Sequence, residues 1–229
     1  QPKFIIPGFR KSGTTSFYSY LINHPQVLPA VEKELHFYTP FLKQDINYYL
    51  AHFPEISNSK NYITGEATTR YIYSLRIAQQ LFALFPKMKF IILLRNPVDR
   101  AISSYSQRCR FSYVDYTYKS QLTEVTQNCL NNTIEKIPSL INQWLDWLSD
   151  DSLSFLRKKY QTFTDYILLP DLLESLYIYY LKEWMNIFPR EQFLIIKSEN
   201  LFENPSATMK QVYKFMNLQD NYIAKYSNC

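Results

Sequence analysis

Apolar residues in this chain gather into short blocks separated by longer mixed stretches. Lys3–Pro7, Tyr62–Gly65, Lys89–Leu94 and Gln192–Lys197 are too short for helices and are rich in aromatic and β-branched residues, so they read as strands. The stretches Thr14–Asn23, Ser74–Phe85, Pro97–Arg108, Ile134–Leu148, Leu172–Phe188 and Pro205–Met216 are amphipathic and read as helices. Strand and helix therefore alternate, which predicts an α/β fold: a single domain with a central parallel β-sheet flanked by helices. Two boundaries are sharp. Asn96 before Pro97 supplies a polar N-cap and a proline for the first turn, so a helix starts just after the Lys89–Leu94 strand, and Asn204-Pro205 opens the last helix in the same way.

No repeat, low-complexity segment or Gly/Ser linker divides the sequence, so residues 1–229 are expected to form one domain. Phe111–Pro170 is the least regular part and is read as an insertion that shapes an acceptor pocket. Trp144 and Trp147, three apart on a helix, read as core packing. The longest apolar run, Phe90–Leu94, is far short of the ~18 residues that cross a bilayer. The chain starts at Gln1 and enters a strand almost at once, which leads us to expect that a signal, anchor or stem has been removed ahead of it.

Composition changes this picture in one respect. Glycine occurs only three times in 229 residues, and two of the three, Gly8 and Gly13, sit five apart directly after the first apolar run. They mark a backbone requirement there. The net charge of +5 suits an anionic ligand without demanding one, and the basic residues are scattered, with no block resembling a nucleic-acid arm. Cys109, Cys129 and Cys229 are too few and too widely spaced for a zinc site, although a Cys109–Cys129 bridge is compatible with an oxidising lumen. Asn131-Asn132-Thr133 matches a glycosylation acceptor.

The segment Phe4-Ile5-Ile6-Pro7-Gly8-Phe9-Arg10-Lys11-Ser12-Gly13-Thr14-Thr15-Ser16 reads as strand, tight turn and helix N-terminus. Turn amides and the helix dipole together hold a phosphate. Arg10 and Lys11 add full charges, the hydroxyls of Thr14, Thr15 and Ser16 add donors, and Ser12 and Gly13 complete the binding loop. The spacing imitates the triphosphate loop G-x-x-x-x-G-K-[ST], but Thr14 follows Gly13 and the lysine lies inside the loop as Lys11. The Phe90–Leu94 run ends in Arg95, not in an acidic residue for Mg²⁺, so metal-dependent triphosphate chemistry is disfavoured and no metal site is expected. A second anion grip is read in Arg95-Asn96-Pro97-Val98-Asp99-Arg100-Ala101-Ile102-Ser103. It places an arginine at a strand's carboxyl end and Ser103 two turns into the next helix.

Two anion grips without metal ligands imply a nucleotide phosphorylated at two places. Here the chain resembles the sulfotransferases that use 3′-phosphoadenosine 5′-phosphosulfate (PAPS). The first loop resembles their 5′-phosphosulfate loop, and the Arg95–Ser103 segment resembles their 3′-phosphate motif. Asn23-His24-Pro25, Lys33-Glu34-Leu35-His36-Phe37-Tyr38, Gly65-Glu66-Ala67-Thr68, Leu181-Lys182-Glu183-Trp184 and Ser198-Glu199-Asn200-Leu201 extend the match, which runs from Lys3 to Leu218. The Lys-Glu-x-His-Phe stretch is similar to the heparan-sulfate type and its bacterial relatives.

The resemblance implies a P-loop-NTPase-like sulfotransferase fold, PAPS as co-substrate with its desulfated form PAP as product, and an acceptor that is a carbohydrate or a small molecule. It implies that Lys11 stabilises charge on the departing 5′-phosphate, that Glu34 is the general base, and that His36 assists it. If that segment is extended, residues 34 and 36 project to one side. His24 and His52 are given no catalytic role. The implied compartment is the cytoplasm for a bacterial chain and the Golgi lumen for a eukaryotic one. Three departures stand out: Ala67 replaces a lysine frequent in relatives, Glu174-Ser175-Leu176-Tyr177 replaces Arg-Gly-x-Tyr, and the C-terminal segment of relatives is expected beyond Cys229. A nucleotide kinase of related fold and a non-catalytic PAPS-binding module are the competing readings.

Overall fold

The computed structural model describes residues 1–38, 45–56, 62–114 and 171–219, with backbone alone for 108–114. The Ile134–Leu148 helix, most of the Phe111–Pro170 insertion, Trp144, Trp147, the Asn131 sequon, Cys129, Cys229 and the Cys109 side chain lie outside what is described. Packing divides the chain into two compact units, one of Gln1–Arg95 with Tyr177–Cys229 and the other of Asn96–Leu176.

The first unit carries the sheet. Its strands are β1 (Phe4–Ile5), β2 (Val27–Pro29), β3 (Ile63–Glu66), β4 (Lys89–Leu94) and β5 (Phe193–Lys197), all parallel, in the order β2-β3-β1-β4-β5. Its helices are α1 (Thr14–Ile22), α2 (Ile46–Leu50), α3 (Leu75–Leu84), α5 (Tyr177–Met185), α6 (Ser198–Glu203) and α7 (Pro205–Met216). The chain passes from β1 to one side of the sheet for β2 and β3, then crosses to the other for β4 and β5. The strand order thus reverses beside β1, and the carboxyl end at such a reversal is where open α/β sheets place ligands.

Alternate residues of the strands build two separate cores, because successive side chains leave opposite faces. Ile5, Phe90 and Ile92 pack with Ile77 and Leu81 of α3 and Trp184 of α5. Phe4, Ile6, Ile91 and Leu93 pack with Phe17 and Leu21 of α1 and Met209 and Val212 of α7. Both faces are covered, which explains why Phe90–Leu93 is a continuous apolar run.

The second unit contains α4 (Pro97–Val114), longer than the Pro97–Arg108 expected. Asn96 caps it, its Oδ1 accepting from the Val98 and Asp99 amides at 2.9 and 3.4 Å. Arg100 is fully buried; it donates through Nε to Ser175 Oγ at 2.8 Å and to the Asp171 carbonyl, and faces Glu174 at 3.4 Å. This corrects the single helix expected over Leu172–Phe188. Residues 171–173 are helical, the chain turns at Glu174-Ser175 to seat Arg100, and α5 starts at Tyr177.

Among the described residues, β2, α2 and α6 escaped the sequence pattern, as did the single 3₁₀ turns at Tyr71–Tyr73 and Arg190–Gln192. β2 is a three-residue edge strand ending in Pro29, a position where a missing N–H is tolerated. No described helix is long and apolar enough to cross a membrane.

Candidate active site

The turn after β1 is fixed by main-chain bonds to its neighbours. The Ile6 amide donates to Glu66 O at 2.9 Å, Ile72 N to Pro7 O at 3.0 Å, and Leu93 N to Gly8 O at 3.3 Å. Beyond it, Ser12 N closes onto Phe9 O at 3.2 Å, while the Phe9 ring packs against Tyr177 and Tyr73 with centroids at 4.5 and 5.7 Å.

Two side chains then pull the loop's carbonyls outward. Arg95, at the end of β4, donates to Lys11 O at 3.2 Å, and the buried Ser198 hydroxyl at the start of α6 donates to Ser12 O at 2.8 Å. In a planar trans peptide the next amide points the opposite way, so the Gly13 N–H is turned away from Ser198. Gly13 is the N-cap of α1 with φ 83°, and no side chain caps the helix. The left-handed φ is what favours glycine at Gly13; a Cβ there would also lie 2.8 Å from the edge of the half-exposed Phe202 ring, which would have to shift. The first amides of α1 thus have no intrahelical acceptor, and Thr14, Thr15 and Ser16 stand on that same turn. Ser12 Oγ is buried without a hydrogen-bond partner, which fits a donor kept for an anionic group. Lys11, with φ 66°, and Arg10 are half-buried in the loop.

The structure therefore brings Arg10, Lys11, Ser12, Gly13, Thr14, Thr15, Ser16 and Arg95 together around one helix N-terminus. Tyr177 links this group to the Glu174–Tyr177 departure, since its hydroxyl donates to Arg95 O at 2.9 Å. Ser103 lies half-buried on α4, in the second unit.

Glu34 and His36 form a second group, served by the carboxyl end of β3, the strand paired with β1. Glu34 Oε1 is 2.5 Å from Lys33 Nζ, and Oε2 is 3.5 Å from His36 Nε2. Both carboxylate oxygens are thus flanked, with the Glu34 side chain one-third exposed. The condition of an extended segment is not met: Glu34 and His36 have φ 67° and 52°, in the left-handed region, and their side chains meet by a tight curl of the chain.

Behind this curl lies a residue with no chemical role in the sequence reading. Glu66 is fully buried, accepting from Tyr49 Oη at 2.7 Å on Oε1 and from Thr68 Oγ1 at 2.5 Å on Oε2, with Tyr71 as a further hydrogen-bond partner. Burial pushes its carboxyl up to about 7; the bonds from Thr68, Tyr49 and Tyr71 and the nearby His52 pull the other way. Burial, with the Glu66 charge, also raises Tyr38, Tyr49 and Tyr71. The signal in the sequence was a glutamate closing an apolar β run. His24 is buried away from this chemistry, with Nε2 on Gln219 O at 2.9 Å and Nδ1 accepting from Gln26 N at 3.1 Å.

The chain is 26% identical over 95% of its length to the membrane-associated sulfotransferase kil1 of Dictyostelium discoideum, of which it spans 56%. It is 28% identical over 95% of its length to the human bifunctional heparan sulfate N-deacetylase/N-sulfotransferase 2, of which it spans 22%. The chain thus spans about half or less of these relatives. A crystal structure of a sulfotransferase from Alicyclobacillus acidocaldarius shares the fold, with a TM-score of 0.69 at 23% identity over 99% of this chain and 85% of that one. The sulfotransferase domain model matches residues 1–228, and the chain belongs to that family of transferases.

Proposed function

We propose that this domain transfers the sulfuryl group of PAPS to a hydroxyl or amine of a carbohydrate acceptor. The observation that carries the reading is the meeting of Arg95 with the Lys11 carbonyl in a loop whose helix amides and buried Ser12 hydroxyl suit an anion. Bound there, PAPS supplies an activated sulfuryl group on a phosphate leaving group. Lys11, Arg10, Ser12, the first-turn amides of α1 from Gly13 on, and the hydroxyls of Thr14, Thr15 and Ser16 are assigned to its 5′ end. Arg95 and Ser103 are assigned to the 3′-phosphate on the strength of their motif.

Glu34 takes the proton of the attacking acceptor group, and His36 steadies the second carboxylate oxygen. The carbohydrate acceptor is supported by the Lys33–Tyr38 motif and by the human relative, whose name specifies heparan sulfate. The test is calorimetric titration with PAP, followed by transfer of labelled sulfate from PAPS to a panel of glycans, phenols and polyketide alcohols. Binding of PAP with sulfate on a glycan is expected. Transfer confined to a phenol or alcohol replaces the acceptor, binding without transfer to any member makes the domain a non-catalytic module, and magnesium-dependent ATP turnover without PAP binding restores the kinase reading.

A further inference from the structure

We propose that Glu66 is a positioning residue of this site: through the hydroxyls of Thr68 and Tyr71 its buried carboxylate holds the backbone of residues 36–38, and with it the Glu34 carboxylate. The inference rests on the reading of Glu34 as the proton acceptor.

The 34–38 segment requires outside support. Glu34 and His36 both occupy the left-handed region, which L side chains disfavour, so the curl that joins their side chains does not hold itself. Its amides are tied to the residues that contact Glu66. His36 N donates to Thr68 Oγ1 at 3.4 Å, Tyr38 N donates to Tyr71 Oη at 3.5 Å, and the Phe37 amide also faces Tyr71 Oη. These are long bonds, so their strength depends on how each hydroxyl is turned. Thr68 places its proton on Glu66 Oε2 at 2.5 Å, which leaves its lone pairs for the His36 amide. The carboxylate thereby sets the hydroxyl direction that the curl needs. A protonated Glu66 would donate to one of these hydroxyls and turn it round, so that an O–H meets an N–H.

This exchange falls near neutrality, since burial lifts the Glu66 carboxyl to about 7. The groups facing it are Tyr49 of α2, Tyr18 of α1, Tyr38, Tyr71 and His52. The phenols of Tyr18, Tyr38, Tyr49 and Tyr71 are raised by burial and stay neutral, and the His52 charge favours the carboxylate. Activity is therefore expected to fall as pH drops through about 7.

The experiment follows amide hydrogen exchange at residues 36–38, PAP affinity and the pH profile of kcat in the whole chain. Four variants are compared with wild type: Glu66→Gln, Thr68→Val, Thr68→Ser and His52→Gln. The Glu66→Gln amide donates where the carboxylate accepted and reverses one hydroxyl. Exchange at 36–38 should rise roughly tenfold or more and kcat fall about 10–100-fold, the scale of a misplaced catalytic group. PAP affinity should stay within about 2-fold, and the inflection near 7 should vanish. Thr68→Val should reproduce the exchange and kcat losses, Thr68→Ser should restore most of them, and His52→Gln should keep the inflection. Unchanged exchange in both Glu66→Gln and Thr68→Val overturns the proposal, as does an inflection that follows His52 instead. If Glu66→Gln does not fold, the Thr68 pair decides. Exchange needs no turnover, so a wild-type chain that transfers no sulfate defeats the functional reading while the exchange result still judges Glu66.

Discussion

The loop after β1 and the 33–38 curl sit at the ends of paired strands, yet they are held in opposite ways. The loop is fixed through its own carbonyls: Pro7, Gly8 and Phe9 accept from backbone amides, Lys11 and Ser12 accept from the side chains of Arg95 and Ser198, and Lys11 and Gly13 make its left-handed turns. The curl is held by side-chain hydroxyls backed by one buried carboxylate. A fixed phosphate needs fixed dipoles, which amides supply at any pH. A moving proton needs titratable groups, and here the support of those groups titrates as well.

The largest effect that would break this comparison belongs to Lys11. On the proposed reading, Lys11→Ala removes a full charge from the leaving phosphate and should lower kcat by about 10³-fold or more, as losses at such charge-stabilising positions do. The side chain is only half-buried, so the thermal midpoint should move by no more than about 2–3 °C. Turnover and thermal unfolding of the same preparation check both halves. A variant that remains active removes Lys11 from the chemistry. Next comes Glu34→Gln, expected to cost about 10²–10³-fold in transfer with PAP affinity unchanged, the range of a lost general base. If transfer survives, the proton goes elsewhere, with His36 next in line.

The third effect is read in stability. Glu66 has a folded-state value of about 7, above its ordinary 4.5, so between those values the folded chain holds a proton that the unfolded chain has released. Stability is then greatest below about pH 4.5 and falls as pH rises through 7, by on the order of 3 kcal/mol. Above pH 7 this contribution is flat. Glu66→Gln should lack this fall, and the difference between wild type and variant in urea unfolding at pH 5 and pH 8 isolates it from the other titrating groups. A difference that is the same at pH 5 and pH 8 would show that Glu66 is ionised in the folded chain across this range.

The same contrast explains what could be read from sequence. The loop is contiguous over Phe4–Ser16, so its glycines, charges and hydroxyls appear as one cluster, and Phe90–Leu94 announces a strand covered on both faces. The Pro205–Met216 helix was legible to the residue because Asn204 caps it, with Oδ1 on Ala207 N at 3.0 Å, and Asn217 ends it at φ 58°. Glu34 and His36 were legible only through resemblance, since nothing local announces a left-handed curl. The Glu66 network was not legible: Tyr49 comes from a five-residue helix that the periodicity missed, and the convergence of Tyr49, Thr68 and Tyr71 on one carboxylate exists only after folding. The Ser198–Ser12 bond spans 186 residues and leaves no local trace.

That bond gives the smallest and most discriminating effect. Ser198→Ala deletes the buried donor to Ser12 O, and a buried carbonyl left without it costs about 1–3 kcal/mol. Most of that cost stays in folding, but the Ser12–Gly13 peptide loses the tether that sets the direction of the Gly13 amide. PAP affinity should therefore weaken by roughly 5-fold, while kcat at saturating PAPS stays within about 2-fold, because occupied loops recover the same amide direction. Glu66→Gln is expected to do the reverse, sparing affinity and lowering kcat. If Ser198→Ala instead lowered kcat with affinity intact, the loop would be coupled to proton transfer, and the division between a main-chain anion site and a side-chain proton site would fail.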